Sequence, residues 1–166
     1  IEFLVTGEAF YFIEANARLQ VEHAVTEAVT GQDLVQLQFN LARGDTLQSL
    51  GLGEGMPGAL RGYAIQVRVN METMEEDGGV RPSGGRLSAF DIPSGPGIRV
   101  DSFGYAGYQP RPSFDSLLAK LIVHAGNPSF EAAVDKAQRA LSEFKIEGVA
   151  TNAGVAFGLA WPLGLA

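Results

Sequence analysis

The chain has 166 residues, of which 46% are hydrophobic and 19% charged, a composition ordinary for a globular protein with a buried core. A formal net charge of -7 argues against a nucleic-acid-binding protein, which needs a basic face to neutralise phosphates. The absence of cysteine excludes disulfides, thiolate metal sites and a cysteine nucleophile. Without a basic leader or an apolar run of about 18 residues, we expect a cytoplasmic protein that does not span a membrane.

Two β-prone runs at the start of the chain, residues 2–5 and 10–14, flank a short polar turn and predict a β-hairpin. A three-residue loop would pair Glu2 with Glu14, whereas a two-residue loop would place these carboxylates on opposite faces. The chain begins without methionine inside the first run, which we interpret as a cut boundary.

The next segment, residues 16–22, alternates polar and apolar side chains and predicts an extended segment with one polar face. Residues 30–33 form a capping-box pattern, and leucines then follow at helical spacing until Gly44, so a helix is predicted there. The glycine-rich stretch 51–62 predicts a connection between two subdomains.

The rest of the chain is predicted to be mostly strands, followed by a helix. Strands are predicted at residues 63–71, 87–90, 98–103 and 117–123. In the first of these, Arg68 belongs to the polar face. Asn127 and Pro128 predict the start of a helix, as N-cap and first helical residue. This order of elements indicates an α+β fold with a largely antiparallel sheet.

The hairpin carboxylates are the first candidates for chemistry. With the three-residue loop, Glu2 and Glu14 would be cross-strand neighbours about 5 Å apart, an arrangement that is unfavourable unless a cation lies between them. Asn16 would add a carbonyl oxygen, and such oxygen ligands suit Mg²⁺ or Mn²⁺. Spacing alone, however, favours two solvated glutamates on an edge strand.

A second candidate group lies on the polar face of residues 16–22. Arg18, Gln20 and Glu22 provide a guanidinium, an amide and a carboxylate that could hold a small anion. Glu22 could also accept a proton from that anion. A solvated strand face has the same periodicity, so the pattern alone favours the solvated face.

Residues 12–27, FIEANARLQVEHAVTE, resemble the signature of biotin carboxylases, a family that includes the carboxylase parts of acyl-CoA carboxylases and pyruvate carboxylase. Further similar motifs follow in order and at the family's spacing: RGYAIQVRVN at 61–70, PSGG at 82–85, YAGY at 105–108, FDSLLAKL at 114–121 and GVATN at 148–152. The resemblance implies the C-terminal part of an ATP-grasp domain over residues 1–60. It further implies a biotin carboxylase C-terminal domain over 61–152, and leaves a tail, 153–166, of unknown role.

The resemblance implies ATP, Mg²⁺ or Mn²⁺, and biotin on a carrier domain as cofactors. Glu2 and Glu14 would bind the metal that bridges the ATP phosphates, helped by Asn16. ATP, bicarbonate and the biotinyl carrier would give ADP, phosphate and carboxybiotin through carboxyphosphate. His23 matches the signature as well, but we expect a structural role for it.

The remaining site residues take their implied roles from the same resemblance. Bicarbonate would be held by Arg18, a catalytic residue, together with Gln20 and the backbone of Val21. Glu22 would deprotonate bicarbonate for attack on the γ-phosphate. Arg68 would stabilise the enolate of biotin, because a fixed guanidinium is a suitable counter-charge for an anion in a dry site.

The implied partners are a biotin carboxyl carrier domain, a carboxyltransferase domain or subunit, bicarbonate, and further copies in a homo-oligomer. The family's glycine-rich phosphate loop and ATP-binding lysines would lie upstream of residue 1, so we expect the isolated chain to be inactive. One alternative is another bicarbonate-activating ATP-grasp ligase, similar to the large subunit of carbamoyl phosphate synthase. The other is a non-catalytic assembly module. The motifs around Arg68, Tyr105 and Asp115 favour the biotin branch.

Overall fold

The computed structural model describes residues 1–55, 58–75, 78–111, 115–127, 129–154 and 156. Within these ranges the hairpin and the first two helices are β1 (Glu2–Thr6), β2 (Ala9–Glu14), α1 (His23–Thr30) and α2 (Leu34–Ala42). The elements that follow are β3 (Tyr63–Asn70), β4 (Glu72–Met74), β5 (Val80–Pro82), β6 (Ala89–Asp91), β7 (Ile98–Ser102), β8 (Leu117–Ala125), α3 (Phe130–Glu143) and β9 (Lys145–Glu147). These strands pair in antiparallel fashion, which confirms the α+β class.

The hairpin turn contains two residues, because Thr6 pairs with Ala9 across Gly7 and Glu8. Gly7 has a φ of 55°, a left-handed conformation that glycine adopts without a steric penalty. The two-residue alternative is therefore the one that forms.

A β-bulge nevertheless brings the two hairpin glutamates opposite each other. Phe3 pairs with Phe12, but the register then shifts, and Glu2 pairs with Glu14. The extra residue on the second strand is Ile13. A bulge of this kind changes which side chains share a face. Glu2 and Glu14 thus pair as predicted for a three-residue loop, but they do so through a two-residue turn and a bulge.

Residues 16–22 form a loop with a bend and a turn, so the prediction of an extended segment is wrong. The turn leads directly into α1, a helix that the sequence did not predict. Its β-branched residues disfavour a helix locally. Packing against β3 and β8 supplies the missing stabilisation, and Ala24 is fully buried there.

The predicted helix after residue 33 is confirmed as α2, and its N-cap is Asp33, whose side chain accepts from Gln36 N at 2.8 Å. The N-cap of α3 is Ser129, which accepts from Ala132 N at 3.2 Å. The prediction of Asn127 as the cap is therefore wrong, while Pro128 lies outside the described residues, as do Phe114 and residues 157–166.

The main core lies between α3 and the sheet of order β3-β8-β7. Its fully or nearly buried members are Leu121, Val123, Ala137, Ala140 and Leu141. A smaller cluster of Met71, Leu87 and Leu118 lies at the other end of β8. The predicted strands in this region are confirmed, whereas the short strands β4, β5 and β9 were not predicted. No helix among the described residues is long and apolar enough to cross a membrane.

Candidate active site

A cavity of about 680 Å³ lies between the hairpin, the loop 16–22 and the two helices that follow it. Most of the predicted site residues line it, namely Glu2, Asn16, Arg18, Gln20 and Glu22. Three predicted site residues, Glu14, Val21 and Arg68, do not line the cavity. Glu14 and Arg68 are hydrogen-bonded to residues that line it, and the backbone carbonyl of Val21 accepts a hydrogen bond from strand β8. The structure therefore brings the two candidate groups of the sequence together around one space.

Each of the two hairpin carboxylates accepts a hydrogen bond from an amide side chain that lines the cavity. Asn16 Nδ2 donates to Glu14 Oε1 at 2.7 Å, and the side-chain amide of Gln20 donates to Glu2 Oε1. Each contact engages one oxygen of its carboxylate. Two carboxylates and an amide oxygen are suitable donors for Mg²⁺ or Mn²⁺ when phosphate oxygens and water complete the shell. In the described part of the chain, no larger cluster of acidic or histidine side chains offers another metal site.

Arg18 is the exposed cation of the cavity. Its Nη1 donates to the carbonyl of Leu19 at 3.4 Å, a long hydrogen bond that constrains the guanidinium weakly. The group lies close enough to Glu22 to lower the pKa of that carboxyl by its charge. An anion entering the cavity would therefore meet a guanidinium on one side and a carboxylate on the other.

Glu22 and Arg68 form an ion pair between the end of the loop and strand β3, although they are 46 residues apart in sequence. Partial burial by itself raises the pKa of Glu22. The hydrogen bond from Arg68 and the charges of Arg68 and Arg18 lower it by more, so the pKa of this carboxyl lies below its usual range. The family resemblance implied roles in successive steps for the two residues, and their contact was not predicted.

His23 begins α1 directly after this pair. Its Nδ1 lies 2.7 Å from the carbonyl of Gln20, which agrees with the structural role expected for this ring. The same turn is held by a backbone hydrogen bond from Val25 to Glu22 at 3.1 Å. These contacts fix the backbone conformation from which the side chain of Glu22 extends.

A network of charged residues, which the sequence analysis missed, docks α1 onto the sheet. Arg99 Nη1 lies 2.9 Å from Glu27 of α1 and its Nε lies 2.8 Å from Asp101. Lys120 Nζ lies 3.1 Å from Asp101 and 3.5 Å from the carbonyl of Val21. Lys120 also pairs with Arg68 in the β3–β8 register. A lysine inside the largely apolar strand β8 was the available signal, since a partly buried charge usually has a partner.

Comparisons with known proteins find family matches over both parts of the chain. Residues 1–50 match the family described as "Carbamoyl-phosphate synthase L chain, ATP binding domain". Residues 66–160 match the family described as "Biotin carboxylase C-terminal domain". The second match covers more than half of the chain, and the chain therefore belongs to the biotin carboxylase family.

Curated relatives include a biotin carboxylase and a pyruvate carboxylase. The chain is 44% identical to a biotin carboxylase of Nostoc sp. over 93% of its own length and 33% of that protein. It is 46% identical to pyruvate carboxylase 1 of Caenorhabditis elegans over 92% of its own length and 13% of that protein. The chain thus spans a third or less of the length of these relatives.

Solved structures show the same fold. A single-chain, multi-domain long-chain acyl-CoA carboxylase superposes with a TM-score of 0.88 at 50% identity, covering 97% of this chain and 17% of the other. The biotin carboxylase domain dimer of 2-oxoglutarate carboxylase from Hydrogenobacter thermophilus, solved with MgADP, ADP and bicarbonate, gives a TM-score of 0.81 at 38% identity. That match covers 93% of this chain and 32% of the other.

Proposed function

We propose that this chain supplies the metal-binding and bicarbonate-binding side of a biotin carboxylase active site. In the proposed reaction, ATP and bicarbonate form carboxyphosphate, and carrier-bound biotin is then carboxylated. The observation that carries the proposal is the convergence of Glu22 and Arg68 beside the cavity that Glu2, Arg18 and Gln20 line. A base, an anion-binding guanidinium and metal-type oxygen donors are what this reaction requires in one place.

The direct pairing of Glu22 with Arg68 suggests how the base becomes active. A carboxylate with a lowered pKa is a weak base. Bicarbonate entering beside Arg18 would bring a second negative charge close to Glu22. A nearby negative charge raises the pKa of a carboxyl group. Glu22 would then accept the bicarbonate proton, and the released guanidinium of Arg68 would be available to the enolate of biotin.

The proposed metal site consists of Glu2, Glu14 and Asn16. A divalent cation bound there would neutralise charge on the phosphates of ATP. The bulge in the hairpin supports this assignment, because without it the two glutamates would lie on opposite faces. Gln20 holds one of these carboxylates, and with the backbone of Val21 it would also contact bicarbonate.

The nucleotide and the other partners belong to the proposed full-length enzyme. Other segments of that enzyme would hold the ATP phosphates, a carrier domain would deliver biotin, and a carboxyltransferase would use the carboxybiotin. We also propose a homo-oligomer, a cytoplasmic location and a domain boundary near residue 60. The chain alone should show no bicarbonate-dependent ATP hydrolysis, and turnover by the purified chain above contaminant controls would contradict this.

Two substitutions in the full-length enzyme test the proposed roles. Glu22→Gln keeps the shape but removes the base, so ATP cleavage and biotin carboxylation should both fall, by roughly 10² to 10⁴. Arg68→Gln leaves the phosphoryl step with Arg18 and the metal, so ATP cleavage should survive better than carboxylation. The measurement is the ratio of phosphate released to carboxybiotin formed at saturating bicarbonate.

A raised ratio for Arg68→Gln with a near-normal ratio for Glu22→Gln would support the division of roles. Equal loss of both activities in Arg68→Gln would show that Arg68 acts on bicarbonate or on the site as a whole. Arg81→Gln is the matched control, because Arg81 forms a 2.6 Å pair with Glu75 and neither residue lines the cavity. Its ratio should equal that of the unmodified enzyme.

A further inference from the structure

The edge of β3 at Arg68 is held by one residue from a distant part of the chain. Asn152 Nδ2 donates to the carbonyl of Arg68 at 3.3 Å. Asn152 Oδ1 accepts from Asn70 N at 2.8 Å, and Asn152 N donates to the carbonyl of Asn70 at 3.1 Å. Asn152 thus forms hydrogen bonds with three backbone groups of β3, namely the carbonyls of Arg68 and Asn70 and the N–H of Asn70.

This part of β3 is paired less regularly than the rest of the strand. β3 lies at the edge of its sheet, and its pairing with β8 becomes irregular between Val69 and Asn70. In an antiparallel strand, alternate residues direct their backbone groups to the same edge. Asn152 therefore takes the place of a neighbouring strand where the ladder to β8 ends.

The segment that carries Asn152 is itself fixed in place. Ser83 Oγ donates to the carbonyl of Ala150 at 2.5 Å. Gly148 has a φ of 91°, and a Cβ at this position would lie 1.9 Å from the carbonyl oxygen of Arg86. The close backbone approach requires glycine and fixes the path of the chain four residues before Asn152.

We infer that Asn152 is a positioning residue for Arg68, an inference that rests on the role proposed for Arg68 above. The guanidinium of Arg68 stands at the end of a long side chain, so its position at Glu22 depends on the backbone from which it extends. A misplacement of about 1 Å at a reacting group can cost roughly 100-fold in rate. The asparagine of the GVATN motif, to which no catalytic role is assigned, thereby acts on the reaction through Arg68.

The test uses Asn152→Ala and Asn152→Asp in the full-length enzyme. The first removes both side-chain hydrogen bonds, and the second keeps the acceptor for Asn70 N but loses the donor to the Arg68 carbonyl. For both variants we expect a ratio of phosphate to carboxybiotin raised in the same direction as in Arg68→Gln. Unfolded enzyme lowers both activities equally, so a simple loss of folded protein leaves this ratio unchanged.

Ser102→Ala is the matched control, because Ser102 Oγ also makes a side-chain to backbone hydrogen bond, to the carbonyl of Leu118 at 2.8 Å, in the same sheet. Its ratio should remain normal. A second measurement, the NMR titration of Glu22 in the 166-residue chain, should show its pKa rising in Asn152→Ala.

The outcomes separate this inference from the proposed function. If Arg68→Gln raises the ratio while both Asn152 variants keep the normal ratio, Asn152 does not position Arg68. If Arg68→Gln itself leaves the ratio normal, the proposed role of Arg68 fails, and the titration decides whether Asn152 positions its side chain. An unchanged pKa of Glu22 in Asn152→Ala would then overturn the inference.

Discussion

The hairpin β1–β2 and the sheet β3-β8-β7 differ sharply in how they are stabilised. In the sheet, Leu121 and Val123 are fully buried, and α3 covers one face. In the hairpin, the apolar side chains are between 49% and 70% exposed, and the aromatic contacts are edge-to-face pairs of Phe3 with Phe10 and Phe12. A two-stranded hairpin is at best marginally stable by itself.

This difference separates the two halves of the candidate site. The carboxylates proposed for the metal lie on the weakly packed hairpin, while Arg68 lies on the well-packed sheet. Glu22 stands between them and is held by the sheet through Arg68 and through the docking of α1. Glu22, the proposed base, thus depends on the stable region, and Glu2 and Glu14, the proposed metal ligands, depend on the marginal one.

The largest effect should come from the core of the sheet. Leu121→Ala leaves a cavity beside α3, and such substitutions cost about 2–5 kcal/mol of the free energy of unfolding. Urea denaturation of the 166-residue chain, followed by circular dichroism, measures this loss. A loss below about 1 kcal/mol would show that the sheet and α3 are packed no better than the hairpin.

Removing a metal ligand should be the next largest effect. Glu14→Gln in the full-length enzyme keeps the side-chain size but removes a charged oxygen donor. Substitution of residues that only hydrogen-bond a metal ligand typically lowers metal affinity by about 10- to 100-fold. For the ligand itself we therefore expect a loss of about 100-fold in apparent Mg²⁺ affinity. The measurement is the Mg²⁺ dependence of ATP cleavage. Glu8→Gln, in the turn of the same hairpin, is the control, and an equal effect in both variants would contradict the metal site.

The pH dependence of Glu22 gives a smaller but specific effect. Because the pKa of Glu22 in the folded chain is lowered, its pair with Arg68 stabilises the fold above the usual carboxylate range, and this contribution is lost as the pH falls through the lowered pKa. Arg68→Gln should raise the pKa of Glu22, as measured by ¹³C NMR of the labelled carboxyl groups. The difference in free energy of unfolding between the unmodified chain and Arg68→Gln should vanish in acid.

Asp101 provides an internal control in the same titration. Burial raises the pKa of Asp101, while hydrogen bonds from Arg99 and Lys120 lower it by more, so its pKa also lies below the usual range. Arg68 is not among these causes. A shift of Asp101 as large as that of Glu22 would mean that Arg68→Gln disturbs the whole sheet rather than one ion pair.

The smallest effect should come from the exposed face of the hairpin. Phe10 is 70% exposed, so Phe10→Ala should change the free energy of unfolding of the chain by less than about 0.5 kcal/mol. Urea denaturation of Phe10→Ala and Leu121→Ala under the same conditions provides the direct comparison. A loss of more than about 1.5 kcal/mol would show that the hairpin is packed in solution as well as the sheet is.

Several features followed from the sequence alone because they depend on neighbours in the chain. Alternating side chains indicated β3 and its polar face, and the leucine spacing after residue 33 indicated α2. The motif around residues 12–27 identified the family, which the comparisons confirm.

Other features were decided only by the tertiary structure. The bulge that pairs Glu2 with Glu14 and the ion pair of Glu22 with Arg68 do not depend on local spacing. Helix α1 forms despite its β-branched residues because the sheet buries one of its faces, and Asn152 reaches β3 from 84 residues away. Local propensity carries no information about such contacts, since their free energy comes from groups that meet only when the chain has folded.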